Sequence, residues 1–358
     1  MSNQRFETGE SVDKYLIEQK IGAGGMGEVW KALRQDGSPV AIKFAHKQLA
    51  HDAYFKDFTR QEASMNLVHP NIVRVVDIFE ADGLPAIVFD YVDGVDLESE
   101  IYGSAAAQDF GQPLPVQGAV RIASDILAAL DFAHQAGLVH RDVKSSNILL
   151  ERQTGKALLS DFGLVMDVTV RRMTRYGLMA GCVPYMSPEQ IRDNRSVDLR
   201  SDIYSFGIVL YEMLTGVLPF RKEPGETEDP DYLIKHKHRY TPAVPPGALN
   251  PQVPPALDTI VLKALEKDRN LRYLSCGDFA LDLQKFTSTP PKRVFMPEVL
   301  SDIPSLVAAS RSVEDAKVAT RASQFSVTTR HIDSYLPWAL IGCSALIVLI
   351  ALILHFRR

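Results

Sequence analysis

Polar and apolar residues alternate through much of the first ninety positions. Residues 14–47 do so with glycines between, and 72–79 (IVRVVDIF) and 86–92 (AIVFDYV) are again rich in apolar and branched residues. A period of two puts successive side chains on opposite faces, so these stretches predict strands and turns. Residues 53–68 interrupt them with helical spacing. Beyond residue 115 the spacing lengthens. In Val116 to Gln135 (VQGAVRIASDILAALDFAHQ) apolar residues recur three and four apart, and Gly137 is placed to stop the helix. Residues 202–216 (DIYSFGIVLYEMLTG) repeat that pattern, with Asp202 near the start and Gly216 at the end. A Pro-rich stretch with charged runs occupies 221–255, then two further helices are predicted at 256–267 and 275–287.

The pattern changes again after about residue 288. From TPPKRV to SYLP the chain is rich in Ser, Thr, Pro and Ala and reads as a flexible linker over 289–334. Leu336 to Phe356 (LPWALIGCSALIVLIALILHF) then contains no Asp, Glu, Lys or Arg. A helix of that length spans about 30 Å, the thickness of the hydrocarbon core of a bilayer. Tyr335 and Trp338 stand at one end as interfacial aromatics do, and Arg357 and Arg358 close the other. A buried core helix would keep a polar stripe, so a transmembrane helix over 335–356 is expected. The first ten residues, MSNQRFETGE, lack the apolar core of a secretory signal, so the N-terminal domain is expected to stay in the cytoplasm.

Composition adds bounds. The 358 residues are 46% hydrophobic and 23% charged, which is globular composition. A net charge of −5 gives no basic footprint for nucleic acid. Cys182, Cys276 and Cys343 are widely separated and support neither a disulfide framework nor a zinc site.

Four short stretches carry candidate chemistry. IGAGGMGEV, residues 21–29, holds Gly22, Gly24 and Gly27 in GxGxxG spacing. Glycine lets backbone N–H groups approach phosphates closely. The same spacing opens a helix in dinucleotide-binding folds, whereas here Val29 and Trp30 lead into strand-like sequence. A plain Gly-rich hairpin is the alternative reading of the motif when it is taken alone. VAIK, Val40 to Lys43, ends an apolar strand on a lysine, a place that calls for an anion and a positioning carboxylate. Glu62, on the following predicted helix, is the candidate carboxylate. HRDVKSSN, residues 140–147, sets eight mostly polar residues between apolar flanks, and DFG comes after it at Asp161–Gly163. Asp142, Asn147 and Asp161 are oxygen donors of the kind that hold Mg²⁺ and orient a hydroxyl. Each alone could be a turn or cap residue.

Taken in chain order, GxGxxGxV, VAIK, HRDxKxxN, DFG and the Pro-Glu of SPE resemble the protein-kinase signature set. The chain looks like a serine/threonine protein kinase of the eukaryotic-like kind found in bacteria. HPNIV (69–73), MSPEQ (186–190) and SDIYSFGIVLYEMLTG (201–216) extend the resemblance over roughly Tyr15 to Phe286. It implies an α+β, bilobal fold, a β-rich N-lobe and a helical C-lobe, with the kinase domain over 13–288.

The resemblance also implies roles. The loop of Ile21, Gly22, Ala23, Gly24, Gly25, Met26 and Gly27 would cover the phosphates of ATP. Lys43 would hold them, paired with Glu62. Asp161 and Asn147 would bind Mg²⁺, or Mn²⁺ in its place. Asp142 would take or orient the proton of the substrate hydroxyl, with Lys144 aimed at the γ-phosphate. Val29, Ala41 and Leu149 would sandwich the adenine. Phe89 would be the gatekeeper, and the backbones of Asp90 and Val92 would bond the base. Arg141 implies regulation by phosphorylation of the activation loop, with Thr174 and Thr169 as candidate sites. Glu189 with Arg272, and Asp202 beneath the catalytic loop, would be structural.

Three positions depart from the pattern. Ser145 stands where the family commonly has Pro. Family spacing would put Arg60 at the pairing position, but an arginine cannot pair with Lys43, so Glu62 is preferred. Cys182 replaces a threonine whose hydroxyl usually meets Asp142 and Lys144, and a thiol is a weak donor. The expected partners are protein substrates, membrane lipid through the C-terminal helix, and a second copy in a homodimer. The expected activity is ATP-dependent phosphorylation of Ser and Thr at a single-pass cell-membrane anchor. The alternatives are a pseudokinase scaffold and a small-molecule kinase.

Overall fold

In β4 (Pro39–Ala45) Val40, Ile42 and Phe44 are buried, while Ala41 and Lys43 point to the other face. That alternation is how one strand serves both a core and a cleft. The computed structural model describes residues 5–24, 27–46, 67–103, 110–161, 183–193 and 196–288. Residues 53–66 of the helix predicted at 53–68, the linker at 289–334 and the segment at 335–356 lie outside them. Among the described residues no helix is long and apolar enough to cross a membrane.

The N-terminal lobe is a six-stranded antiparallel sheet. It contains β1 (Ser11–Val12), β2 (Tyr15–Gly24), β3 (Gly27–Leu33), β4, β5 (Val75–Ala81) and β6 (Leu84–Asp90), in the order β1-β2-β3-β4-β6-β5. One face buries Tyr15, Ile17, Trp30, Val40, Ile42 and Phe44 together with Phe6. The other carries Ala41, Ile87 and Phe89, which pack with Val73 and Leu149.

A smaller sheet comes next, made of β7 (Gly94–Asp96), β8 (Ile148–Glu151) and β9 (Ala157–Leu159) in the order β7-β8-β9. Around it stand α1 (Leu97–Tyr102), α2 (Val116–Gln135), α3 (Pro188–Arg192), α4 (Leu199–Thr215), α5 (Pro230–Tyr240), α6 (Pro246–Leu249), α7 (Pro255–Ala264) and α8 (Cys276–Ser288). Helix α2 matches its predicted range. Helix α4 begins earlier than predicted, because Asp198 rather than Asp202 caps it through the N–H of Arg200, and it ends at Gly216 in the left-handed conformation with φ 72°. The bounds of α7 and α8 lie within three residues of the predicted helices. Helix α4 is buried over Ser201 to Leu214 and forms the axis of the second core.

Helices α5 and α6 stand in the Pro-rich stretch where none is predicted. Their prolines open them, because a residue in the first turn needs no intrahelical donor. Pro230 sits behind an Asp229 cap that accepts from the N–H of Tyr232, whereas Pro246 and Pro255 open α6 and α7 behind Pro245 and Pro254, without a side-chain cap. Prolines that read as breaks are here helix starts.

Candidate active site

The hairpin β8–β9 brings the polar residues together. Ile148 pairs with Leu159, so the residue before β8 and the residues after β9 must lie side by side. Asn147 is the former; Ser160 and Asp161 are the latter. The carbonyl of Asn147 accepts from the N–H of Ser160 at 2.9 Å and from its hydroxyl at 3.0 Å. The Asn147 side-chain amide donates to the carbonyl of Asp142 at 2.8 Å and to its Oδ2 at 3.2 Å. Lys144 Nζ donates to that same Oδ2 at 2.9 Å. Asp142, Lys144 and Asn147 thus form one connected group.

From the opposite lobe Lys43 reaches Asp161, Nζ to Oδ1 at 2.7 Å. Burial raises the pKa of the Asp161 carboxyl, but the charge and hydrogen bond of Lys43, helped by Lys144, hold it below its ordinary value overall. The backbone is strained at two of these positions. Arg141 and Asp161 take φ of 65° and 54°, a region that side chains other than Gly seldom occupy.

Asp202 holds the loop in place. This buried carboxylate accepts from the N–H groups of His140 and Arg141, each at 2.7 Å, and lies 2.7 Å from Nε2 of His134. Nδ1 of His134 in turn lies 3.7 Å from the Cys276 sulfur. Burial pushes the Cys276 thiol well up, so its S–H remains to face that nitrogen. Burial also lowers the pKa of His140, which leaves a neutral ring between the carbonyl of Ser160 and the N–H of Asp142. His134 and Cys276 are not foreseeable from the sequence, since a histidine and a cysteine on apolar helix faces carry no local signal.

Above the loop lies a cavity of about 420 Å³. It is lined by Ile21, Gly22, Val29, Ala41, Lys43, Phe89, Asp90, Val92, Leu149 and Asp161, all expected at a ligand site, and also by Val73, Tyr91, Gly94, Val95, Asp96, Ser99, Ser146 and Ser160, which the sequence does not single out. Asp96 and Ser99 had a readable signal, because Asp96 caps α1 through the N–H of Ser99 at 2.7 Å. The N–H of Asp90 is taken by the carbonyl of Arg74 at 3.0 Å, which removes it from contact with a ligand. Ala23 and Gly24 lie at the end of β2 and do not line the cavity. Gly27 is needed for a reason besides phosphate approach: a Cβ there would run into the Phe44 carbonyl of β4. Gly25, Met26, Glu62, Thr169, Thr174 and Cys182 lie outside the described residues.

Beneath the site Arg272 and Glu189 form a buried bidentate pair at 2.7 and 2.8 Å, and Ser201 donates to the same carboxylate at 2.6 Å.

Residues 15–277 match the family model described as the protein kinase domain. The chain belongs to this family. Its curated relatives include the probable serine/threonine-protein kinase PknB of Bifidobacterium longum, 35% identical over 84% of this chain and 44% of that one. The serine/threonine-protein kinase PknB of Mycobacterium leprae is 36% identical over 81% of this chain and 45% of its own. The chain therefore spans a little under half the length of these relatives. Among solved structures, the PknI kinase domain of Mycobacterium tuberculosis superposes with a TM-score of 0.58 at 28% identity, covering 78% of this chain and 99% of that one. The two lobes described above are those of the kinase fold, with the cavity between them.

Proposed function

We propose that the chain transfers the γ-phosphate of ATP to serine and threonine hydroxyls of proteins. One observation carries this reading. Lys43 and Asp161 from two lobes, and Asp142, Lys144 and Asn147 from one loop, converge beside a single cavity. Ala41, Val29 and Leu149 would enclose the base, with Phe89 behind it and the Val92 backbone as its polar partner. The Gly22–Gly27 turn would lie over the phosphates and Lys43 against them.

Asp161 and Asn147 offer hard oxygen donors, which fit Mg²⁺ completed by phosphate and water oxygens. When bound, the ion would neutralise charge on the phosphates. Asp142 would accept the proton of the attacking hydroxyl at Oδ. Lys144 and Asn147, both bonded to that carboxylate, would set its direction. Phosphoryl transfer depends on positioning and charge, and these residues supply both.

The same reading places the 13–288 domain on the cytoplasmic side of a membrane, with the apolar segment 335–356 as a single anchor and 289–334 as linker. Autophosphorylation would fall on Thr174 or Thr169, next to the arginines of the loop. Incubating the full chain with labelled ATP–Mg²⁺ tests the activity. Labelling of the chain and of generic protein substrates is expected, and Asp142→Asn should abolish it. Retained ATP binding without any labelling would instead leave a pseudokinase scaffold.

A further inference from the structure

Ser145, the residue that replaces the usual proline, does not face solvent. Its hydroxyl is buried and lies 2.8 Å from Tyr185 Oη. Tyr185 belongs to the turn Val183–Tyr185, and its Oη lies 2.9 and 3.0 Å from the two carboxyl oxygens of Glu212 on α4. Tyr102 of α1 donates to Oε1 of Glu212 at 2.9 Å. Glu212 is fully buried, and among the described residues no cation comes within ion-pair distance of it. Facing it are Tyr102 and Glu98 of α1, Tyr185 of the turn and Ser145 of the catalytic loop. Lys144 acts on Glu98 and Arg221 on Tyr102, at one remove from the carboxyl.

A buried carboxylate without a cation is costly, whereas a carboxyl that keeps its proton can place it in such a hydroxyl cluster. With the proton on, Glu212 donates to Tyr185 Oη, Tyr185 donates to Ser145 Oγ, and Tyr102 donates to the other carboxyl oxygen. When the proton leaves for water, the tyrosine proton must turn back to the carboxylate and Ser145 changes from acceptor to donor. No proton moves between side chains; only the direction of the bonds reverses.

We propose that Ser145 is a positioning residue, joined through Tyr185 to Glu212 in a latch that ties the catalytic loop to the Val183–Tyr185 turn; losing the Glu212 proton keeps the bonds but buries a charge, which favours an opened, hydrated state and so loosens the latch. The consequence for catalysis rests on the kinase reading above, but the latch itself does not. Three further contacts give the latch its reach. Gln190 donates to the Arg141 carbonyl at 2.9 Å, Ser205 donates to the Tyr185 carbonyl at 2.8 Å, and Ser145 opens the short turn that ends on Asn147. Burial raises the Glu212 carboxyl to about 7, which puts the release near neutral pH.

Hydrogen–deuterium exchange on the full chain at pH 6 and pH 8, normalised to the intrinsic rates, tests the latch without phosphoryl transfer. The amides to monitor are His140, Arg141 and Asn147 of the loop and Met186 beside the turn. A carboxyl moved from 4.5 to about 7 implies protection about tenfold lower at pH 8 in an opening that hydrates Glu212. Glu212→Gln should abolish the difference. Ser145→Ala should abolish it at the loop amides and keep it at Met186, a split that a merely structural serine would not produce. If Glu212→Gln does not fold, Tyr102→Phe serves, since losing a donor to the ionised form should move the exchange step to higher pH. Equal protection of the parent at both pH values, or Ser145→Ala behaving as the parent at both segments, overturns the proposal. A parent that transfers no phosphate at any pH defeats the kinase reading and leaves the exchange result to decide the latch. Where transfer is seen, kcat should fall above pH 7 in the parent and not in Glu212→Gln.

Discussion

Replacing Asp202 by Asn changes one atom and removes one charge, and the surrounding hydrogen bonds set the consequence. The carboxylate accepts two backbone N–H groups, from His140 and Arg141, and faces His134 Nε2, all at 2.7 Å. An amide has one oxygen. Whichever way it turns, its NH₂ faces at least one donor that had an acceptor before. The best orientation keeps the oxygen toward His134 and His140 and loses the bond to Arg141. A hydrogen bond to a charged group contributes about 1.5–3 kcal/mol, and the two retained bonds weaken as the charge goes. The sum is roughly 3 kcal/mol of a total of order 5–15, so the chain still folds, with its melting point lowered by roughly 6–12 °C.

The larger effect is local. Arg141 stands at φ 65°, a conformation that costs about 1–2 kcal/mol for a residue with a Cβ, and the bond from its N–H to Asp202 offsets that strain. Without the bond the peptide before Asp142 relaxes. A displacement of about 1 Å at the reacting carboxylate lowers kcat by on the order of a hundredfold. The cavity lining is untouched, so ATP affinity should hold. Initial-rate transfer of labelled phosphate, a thermal melt and nucleotide titration measure the three quantities. An Asp202→Asn chain with kcat within twofold of the parent would refute the argument.

The buried contacts elsewhere in the chain set other outcomes. All five N–H groups of Arg272 have acceptors: both oxygens of Glu189 and the carbonyls of Arg200, Glu266 and Lys267. Arg272→Ala strands a buried carboxylate and should cost about 3–5 kcal/mol in urea unfolding, and Lys, with three donors, should not restore it. Burial works against the ionised Glu189, but Arg272 and Ser201 pull its pKa below the ordinary value, so its contribution is present above the unfolded pKa and is lost as acid passes the folded one. A melt series from pH 7 to pH 3 should show a loss that Glu189→Gln lacks. Glu212 has the opposite sign. Its raised pKa makes stability fall by about 3 kcal/mol as pH rises from 4.5 to 7, and Glu212→Gln should be flat across that window. Gly27→Ala should cost about 1–3 kcal/mol, because the new methyl meets strand backbone that cannot rotate away; a parent-like urea midpoint would contradict that.

The chain by itself determined the two lobes, since alternation with period two over 14–47 and helical spacing over 116–135 differ in period. It also named the polar residues that gather at the cleft, because chemistry of that density inside apolar flanks is rare. It did not show α5 and α6, whose prolines carry opposite meanings at a first turn and in a helix interior. It gave no sign of His134, Cys276 or the cage around Glu212. In one dimension a histidine on α2, a cysteine on α8 and a glutamate in the middle of α4 are single polar residues on apolar faces. Only tertiary packing decides that two of them brace the loop through Asp202, and that the third lies among three hydroxyls with no cation beside it among the described residues. Local pattern records which face a residue takes; its neighbours on that face are set by segments far away along the chain.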